Sequence, residues 1–133
     1  MSILAIDYGR KRIGLAVSIL SVACPLKPII RTDLKSNIAQ ISNVINDYSV
    51  SEIVIGLPLN MDDTESKMTK EVKNFAAALR NRLKLNIEFV DEKLTSIEAE
   101  QKLAETNKSW KKRKEKIDGV AAALILKNYL EKK

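Results

Sequence analysis

Histidine is absent from all 133 residues, and there is a single cysteine, Cys24. The first absence removes serine–histidine triads, cysteine–histidine pairs, histidine general bases and the usual zinc-hydrolase sites. The second excludes an internal disulfide and a cysteine-rich zinc site, so Cys24 reads as a small buried apolar side chain. Aromatic residues make up only 5% of the chain. No apolar run approaches the roughly 18 residues of a membrane span. The opening Met-Ser-Ile-Leu-Ala-Ile-Asp enters a strand pattern with no basic leader, which points to the cytoplasm. Any chemistry must then come from carboxylates, hydroxyls, lysines or a metal. What is abundant is positive charge: 23 Lys+Arg against 17 Asp+Glu, a net +6. A basic chain of this size favours a polyanionic partner such as nucleic acid and no membrane. Its length suits one domain, residues 1–133.

Hydrophobic periodicity orders the elements. Residues 2–7 and 13–18 read as strands joined by a turn at Tyr8-Gly9-Arg10-Lys11-Arg12, where Gly9 is expected to supply a positive φ. Residues 25–32 suit a third strand, placed at a sheet edge by Pro25 and Pro28. Leu34, Ile38, Ile41, Val44, Ile45 and Tyr48 recur at helical spacing behind an Asp33 N-cap. Ile53-Val54-Ile55 is a continuous run fit for a central strand covered on both faces. A polar loop over 58–65 leads to a helix over 66–84, and residues 86–90 make a fifth strand. Thr95-Ser96-Ile97-Glu98 matches a capping box opening a further helix. The last helix is expected from about Asp118 to Leu130. The order β-β-β-α-β-α-β-α-α predicts an α/β fold with a five-stranded mixed sheet flanked by helices.

Three acidic positions fall at comparable junctions. Asp7 ends the first strand, Asp91-Glu92 end the fifth, and Asp118 opens the last helix. Loops diverge at strand ends of an α/β sheet and open a crevice there. Carboxylates converging in such a crevice require a cation, and oxygen ligands alone select Mg²⁺ or Mn²⁺ over zinc. Each acid also has a plain structural role open to it: a helix cap for Asp118, a solvated loop charge for Asp91 or Glu92, and a strand terminus for Asp7.

Four segments carry a resemblance. Asp7-Tyr8-Gly9-Arg10-Lys11-Arg12-Ile13-Gly14-Leu15-Ala16-Val17-Ser18, Gly56-Leu57-Pro58-Leu59-Asn60-Met61-Asp62, Val90-Asp91-Glu92-Lys93-Leu94-Thr95-Ser96 and Ile117-Asp118-Gly119-Val120-Ala121-Ala122 resemble, in order, the motifs of the YqgF family. These are Holliday junction resolvase-like proteins, also described as pre-16S rRNA nucleases. The resemblance spans nearly the whole chain. It implies a ribonuclease H-like fold and metal-dependent phosphodiester cleavage, with Asp7, Glu92 and Asp118 as the catalytic and metal-binding set. It also implies a pair of Mg²⁺ or Mn²⁺ ions and a part in maturing the 5′ end of pre-16S rRNA. Two positions depart from the family pattern: Ile19 stands where an acid is frequent, and Asp63 where glycine is usual.

The basic residues fall in two groups. Arg10, Lys11 and Arg12 follow Asp7 directly and could hold phosphates, or form a solvated hairpin tip. Lys108, Lys111, Lys112, Arg113, Lys114 and Lys116 form a denser patch, expected as a mobile loop beside Asp118. Trp110 within it is suited either to base stacking or to core packing. Asn60 could bond a phosphate or brace its turn. The expected substrate is structured RNA such as pre-16S rRNA, ahead of branched DNA as cut by a junction resolvase. A non-catalytic RNA-binding assembly factor is the rival of another class. An actin-like ATPase reading of Asp7-Tyr8-Gly9 fails because such sites need a second lobe. Monomer and homodimer are both compatible with the sequence.

Overall fold

The computed structural model describes residues 2–59, 64–91 and 110–131, with side chains in the last stretch from Gly119 onward. Among these residues the chain forms β1 (Ser2–Tyr8), β2 (Arg12–Ile19), β3 (Val22–Ile30), α1 (Leu34–Tyr48), β4 (Val50–Leu57), α2 (Lys67–Leu83), β5 (Asn86–Asp91) and α3 (Trp110–Glu131). The strands make one mixed sheet in the order β3-β2-β1-β4-β5. β1 pairs antiparallel with β2 and parallel with β4, and β5 continues the parallel half. The α/β class and five-stranded sheet expected from periodicity are present. The capping-box segment at Thr95 lies outside the described residues.

Local chemistry explains the element boundaries. Leu20 and Ser21 take left-handed backbone (φ 51 and 66) and close the β2–β3 hairpin, as the twist of a two-residue turn requires. β3 is an edge strand, as its prolines demand. Ile13 and Leu15 of β2, with one residue between them, pair with Ile29 and Leu26 of β3, which have two, so a bulge falls at Lys27–Pro28. Asp33 caps α1, its carboxylate accepting from Ser36 N–H at 2.9 Å. Ser66 caps α2 in a reciprocal box with Thr69. The buried Thr69 hydroxyl also donates to the Pro58 carbonyl, tying the exit of β4 to the start of α2.

Alternation along the strands sorts side chains onto two faces. Leu4, Ile6, Ile13, Leu15, Ile53 and Ile55 pack under α1 and α2 with Ile41, Val72, Phe75 and Leu79. The other face carries Ala5, Ala16 and Val54 beneath Ala122, Ile125 and Leu126 of α3. Each fully buried Ile or Leu contributes roughly 1.5–3 kcal/mol. Most of the apolar volume therefore sits under α1 and α2.

Four expectations need correction. α3 starts at Trp110, eight residues before Asp118, so Asp118 does not cap it. Lysine, arginine and glutamate are good helix formers, and no glycine or proline intervenes before Gly119. The basic run from Trp110 on is accordingly helix, not loop. Gly9 does not adopt positive φ. Its lack of a side chain is needed for another reason: its N–H donates to the Arg12 carbonyl at 2.9 Å, and a Cβ would lie 2.6 Å from that oxygen. Cys24 is only half-buried, on the edge strand β3.

Candidate nucleic-acid cleavage site

Asp7 is the penultimate residue of β1, half-buried, and pairs with Gly14 of β2. Asp7 alternates with Tyr8, so it lies on the face of Ala5, the one α3 covers, while Tyr8 joins the α1/α2 core.

Strand register brings the later motifs to the same end of the sheet. Ile6 pairs with Ile55, and Ile55 with Phe89, so Asp7 is level with Gly56 and Val90. Val90 packs with the α3 cluster and shares the face of Asp7. Asp91, one residue on, falls by alternation on the opposite face. Glu92 follows immediately and lies outside the described residues, as do Asn60 and Lys108.

The direction of α3 follows from its two ends. Gly119 faces Pro25 and Leu26: a Cβ added to it would lie 3.5 Å from Pro25 Cβ and 3.7 Å from the Leu26 carbonyl oxygen. Those residues pair through Ala16 and Leu15 with Ala5 and Ile6. At its other end the Tyr129 hydroxyl donates to Glu52 Oε2 at 2.6 Å, and Glu52 pairs with Ile3 near the start of β1. Going toward its N-terminus, α3 thus travels toward the end of β1 that carries Asp7. The backbone of Asp118 stands beside Gly119, on the Asp7 side of it. Trp110, Lys111, Lys112, Arg113 and Lys114 lie in the two turns before it, as backbone only.

Arg12 opens β2 on the α3 face, in strand alternation with Gly14 and Ala16. Its Nη1 is buried and has no hydrogen-bond partner among the described residues. A buried guanidinium nitrogen without an acceptor is costly, so this atom is suited to an incoming anion. Arg10 and Lys11 are exposed at the turn.

Sequence reasoning missed the group behind the turn. Arg31 donates to the Gly9 carbonyl at 3.1 Å, pairs with Glu71 at 3.5 Å, and lies over the Tyr8 ring, 4.3 Å from its centroid. Tyr8 in turn stacks on Phe75 at 4.1 Å. Burial pushes the Tyr8 phenol pKa up, against the opposing influence of Arg31. No local pattern in the sequence announces these contacts, because each joins residues far apart in the chain. Among the described residues, no three acidic, cysteine or histidine side chains form a metal-binding group. That set includes Asp7 but not Glu92 or the Asp118 side chain.

This sheet order, with an antiparallel hairpin followed by parallel strands and a helix crossing behind the first, is the ribonuclease H-like fold of the junction resolvases. The chain superposes on Thermus thermophilus RuvC, solved with a Holliday junction substrate, with a TM-score of 0.60 at 11% identity, covering 94% of this chain and 91% of that one. Fowlpox virus resolvase, solved with Holliday junction DNA, gives 0.54 at 12% identity over 99% and 98%. At such identities the likeness is one of fold.

Sequence narrows the class. Residues 1–132 match the family described as RuvX, Holliday junction resolvase, and the chain belongs to that family. A relative from Maridesulfovibrio salexigens, named "Putative pre-16S rRNA nuclease", is 42% identical over 132 residues, 98% of each chain. One of the same name from Natranaerobius thermophilus is 41% identical over 134 residues, covering 99% of this chain and 95% of its own.

Proposed function

We propose that the chain is a single-domain, metal-dependent nuclease that hydrolyses phosphodiester bonds in structured RNA, with the 5′ end of pre-16S rRNA as its substrate. The observation that carries this is the end of β1: a half-buried Asp7 paired with Gly14, and on the same face of the neighbouring strand a buried Arg12 Nη1 with no partner among the described residues. A carboxylate for a cation and a guanidinium for a phosphate, on one face of the sheet, are the two halves of a phosphodiesterase site.

Asp7, Glu92 and Asp118 would hold Mg²⁺ or Mn²⁺. The donor set fits, being oxygen only in a chain without histidine. These residues would thereby supply, through the ions they hold, activation of a water and charge compensation at the leaving oxygen. Asp91 is set aside because strand alternation turns it to the other face. Arg12 receives a non-bridging phosphate oxygen, exchanging a buried orphan donor for a charge-assisted bond. Lys11 and the basic N-terminal turns of α3 attract the polyanionic backbone in a salt-sensitive manner. Among the described residues no helix is long and apolar enough to cross a membrane, in keeping with a cytoplasmic substrate.

The names of the relatives favour RNA, while the resolvase folds make branched DNA the second reading. Purified protein assayed with Mg²⁺ or Mn²⁺ on a pre-16S 5′ transcript and on a four-way DNA junction separates the two. We expect cleavage of the transcript and a loss of roughly 10²–10⁴-fold in Asp7→Asn, the span for removing a positioned catalytic group. Equal residual activity in both preparations would instead favour a binding role in ribosome assembly.

A further inference from the structure

A cavity of about 330 Å³ opens on the α1/α2 side of the sheet, behind the turn that follows Asp7, lined by Arg10, Arg31, Lys67, Met68 and Glu71. We propose that it is a subsite for a backbone phosphate of the nucleic-acid strand, outside the cleavage site and on the opposite face of the sheet. The proposal rests on the nuclease reading for the identity of the strand, not for the geometry of the cleft.

Three cations and one anion face this space. Glu71 is committed to Arg31 at 3.5 Å. Arg10 and Lys67 have no ion pair among the described residues, so two like charges from separate elements converge on one opening. That arrangement is unfavourable until an anion enters. Arg31 is already immobilised by Gly9, Glu71 and the Tyr8 ring, so little side-chain freedom remains to be lost when a phosphate binds near its guanidinium plane. Lys67 is the first residue of α2, whose early N–H groups add partial positive charge at the same mouth.

Position makes this a part of one track. Adjacent strand residues point to opposite faces, so Asp7 addresses the α3 side and Tyr8 the cavity side. A strand crossing the end of β1 passes both: Arg12 and Asp7 on one side, Arg10, Arg31 and Lys67 on the other. Lys67 belongs to none of the four motif segments.

The test uses the full chain carrying Asp7→Asn, so that RNA stays intact, and a labelled single-stranded RNA oligonucleotide titrated at several salt concentrations. Lys67→Gln should weaken binding several-fold and lower the slope of log K against log salt by about 0.7, the value for one phosphate contact on a single strand. Lys84→Gln, at the far end of α2 about 25 Å away by helical rise, removes the same charge and should change neither. Glu71→Gln should tighten binding, a sign that a merely structural role would not produce. Inorganic phosphate should bind far more weakly than the oligonucleotide, because the subsite holds one link of a longer contact. Identical behaviour of the Lys67 and Lys84 variants, weaker binding by Glu71→Gln, or phosphate binding as tight as the oligonucleotide's would overturn the proposal. Cleavage by the otherwise wild-type chain, compared with Asp7→Asn, reports separately on the nuclease reading, so either can fail alone.

Discussion

The two faces of the sheet are built from different residues for different purposes. Under α1 and α2 the strands present isoleucine and leucine, and Val72, Phe75 and Leu79 fill the layer. Under α3 the fully buried strand residues are Ala5, Ala16 and Val54, and Ala122 answers from the helix. Small residues on both sides let α3 lie close to the sheet, with Gly119 facing Pro25 and Leu26. One face supplies stability. The other sets the separation between a strand end and a helix, which is the quantity a shared metal site depends on.

Substitutions sharpen this contrast. Ile55→Ala, in the centre of β4 and fully buried under α1 and α2, should cost about 2–5 kcal/mol in a denaturant melt. Any surviving folded fraction should keep its cleavage rate. Ala16→Leu on the opposite face should cost less, about 1–3 kcal/mol from overpacking, yet reduce cleavage per folded molecule by displacing α3. A comparable loss of specific activity in both variants would erase the distinction between the faces.

The smallest effect concerns the far end of α3. Tyr129 donates to the Glu52 carboxylate, and that bond, together with burial, pushes its pKa up to about 12. The folded state therefore keeps this proton where the unfolded chain, near 10, has lost it. The resulting stabilisation is complete below about pH 10 and disappears as pH rises toward 12. Tyr129→Phe should flatten stability over that window while leaving neutral-pH cleavage unchanged, as measured by thermal melts from pH 9 to 12.

Sequence patterns revealed the fold where one local signal sufficed. The prolines of β3 placed it at an edge, the unbroken Ile53-Val54-Ile55 run placed β4 inside, and Asp33 marked the start of α1. The start of α3 was misread because Asp118-Gly119 has the composition of a boundary while six basic residues before it have that of a loop. Propensity for helix in lysine and arginine outweighed the charge density there. At Gly9 the signal was correct and the reason was not, since a close carbonyl and not a left-handed backbone excludes other residues. The site divides in the same way. Of the proposed ligands, Asp7 stands out in the sequence as an acid ending an apolar strand, and Glu92 and Asp118 as acids within motif segments. Arg31, Glu71 and Lys67 do not, because their meaning lies in contacts between β3, α2 and the first turn that no spacing rule encodes.

The claim on which the rest depends is that Asp7, Glu92 and Asp118 act on the same divalent ions. Mn²⁺ titration followed by electron paramagnetic resonance, on wild type and on Asp7→Asn, Glu92→Gln and Asp118→Asn, measures this without reference to any substrate. The account predicts that each substitution weakens Mn²⁺ binding by at least about tenfold while circular dichroism shows an unchanged fold. Folded variants that all bind Mn²⁺ as tightly as wild type would contradict it.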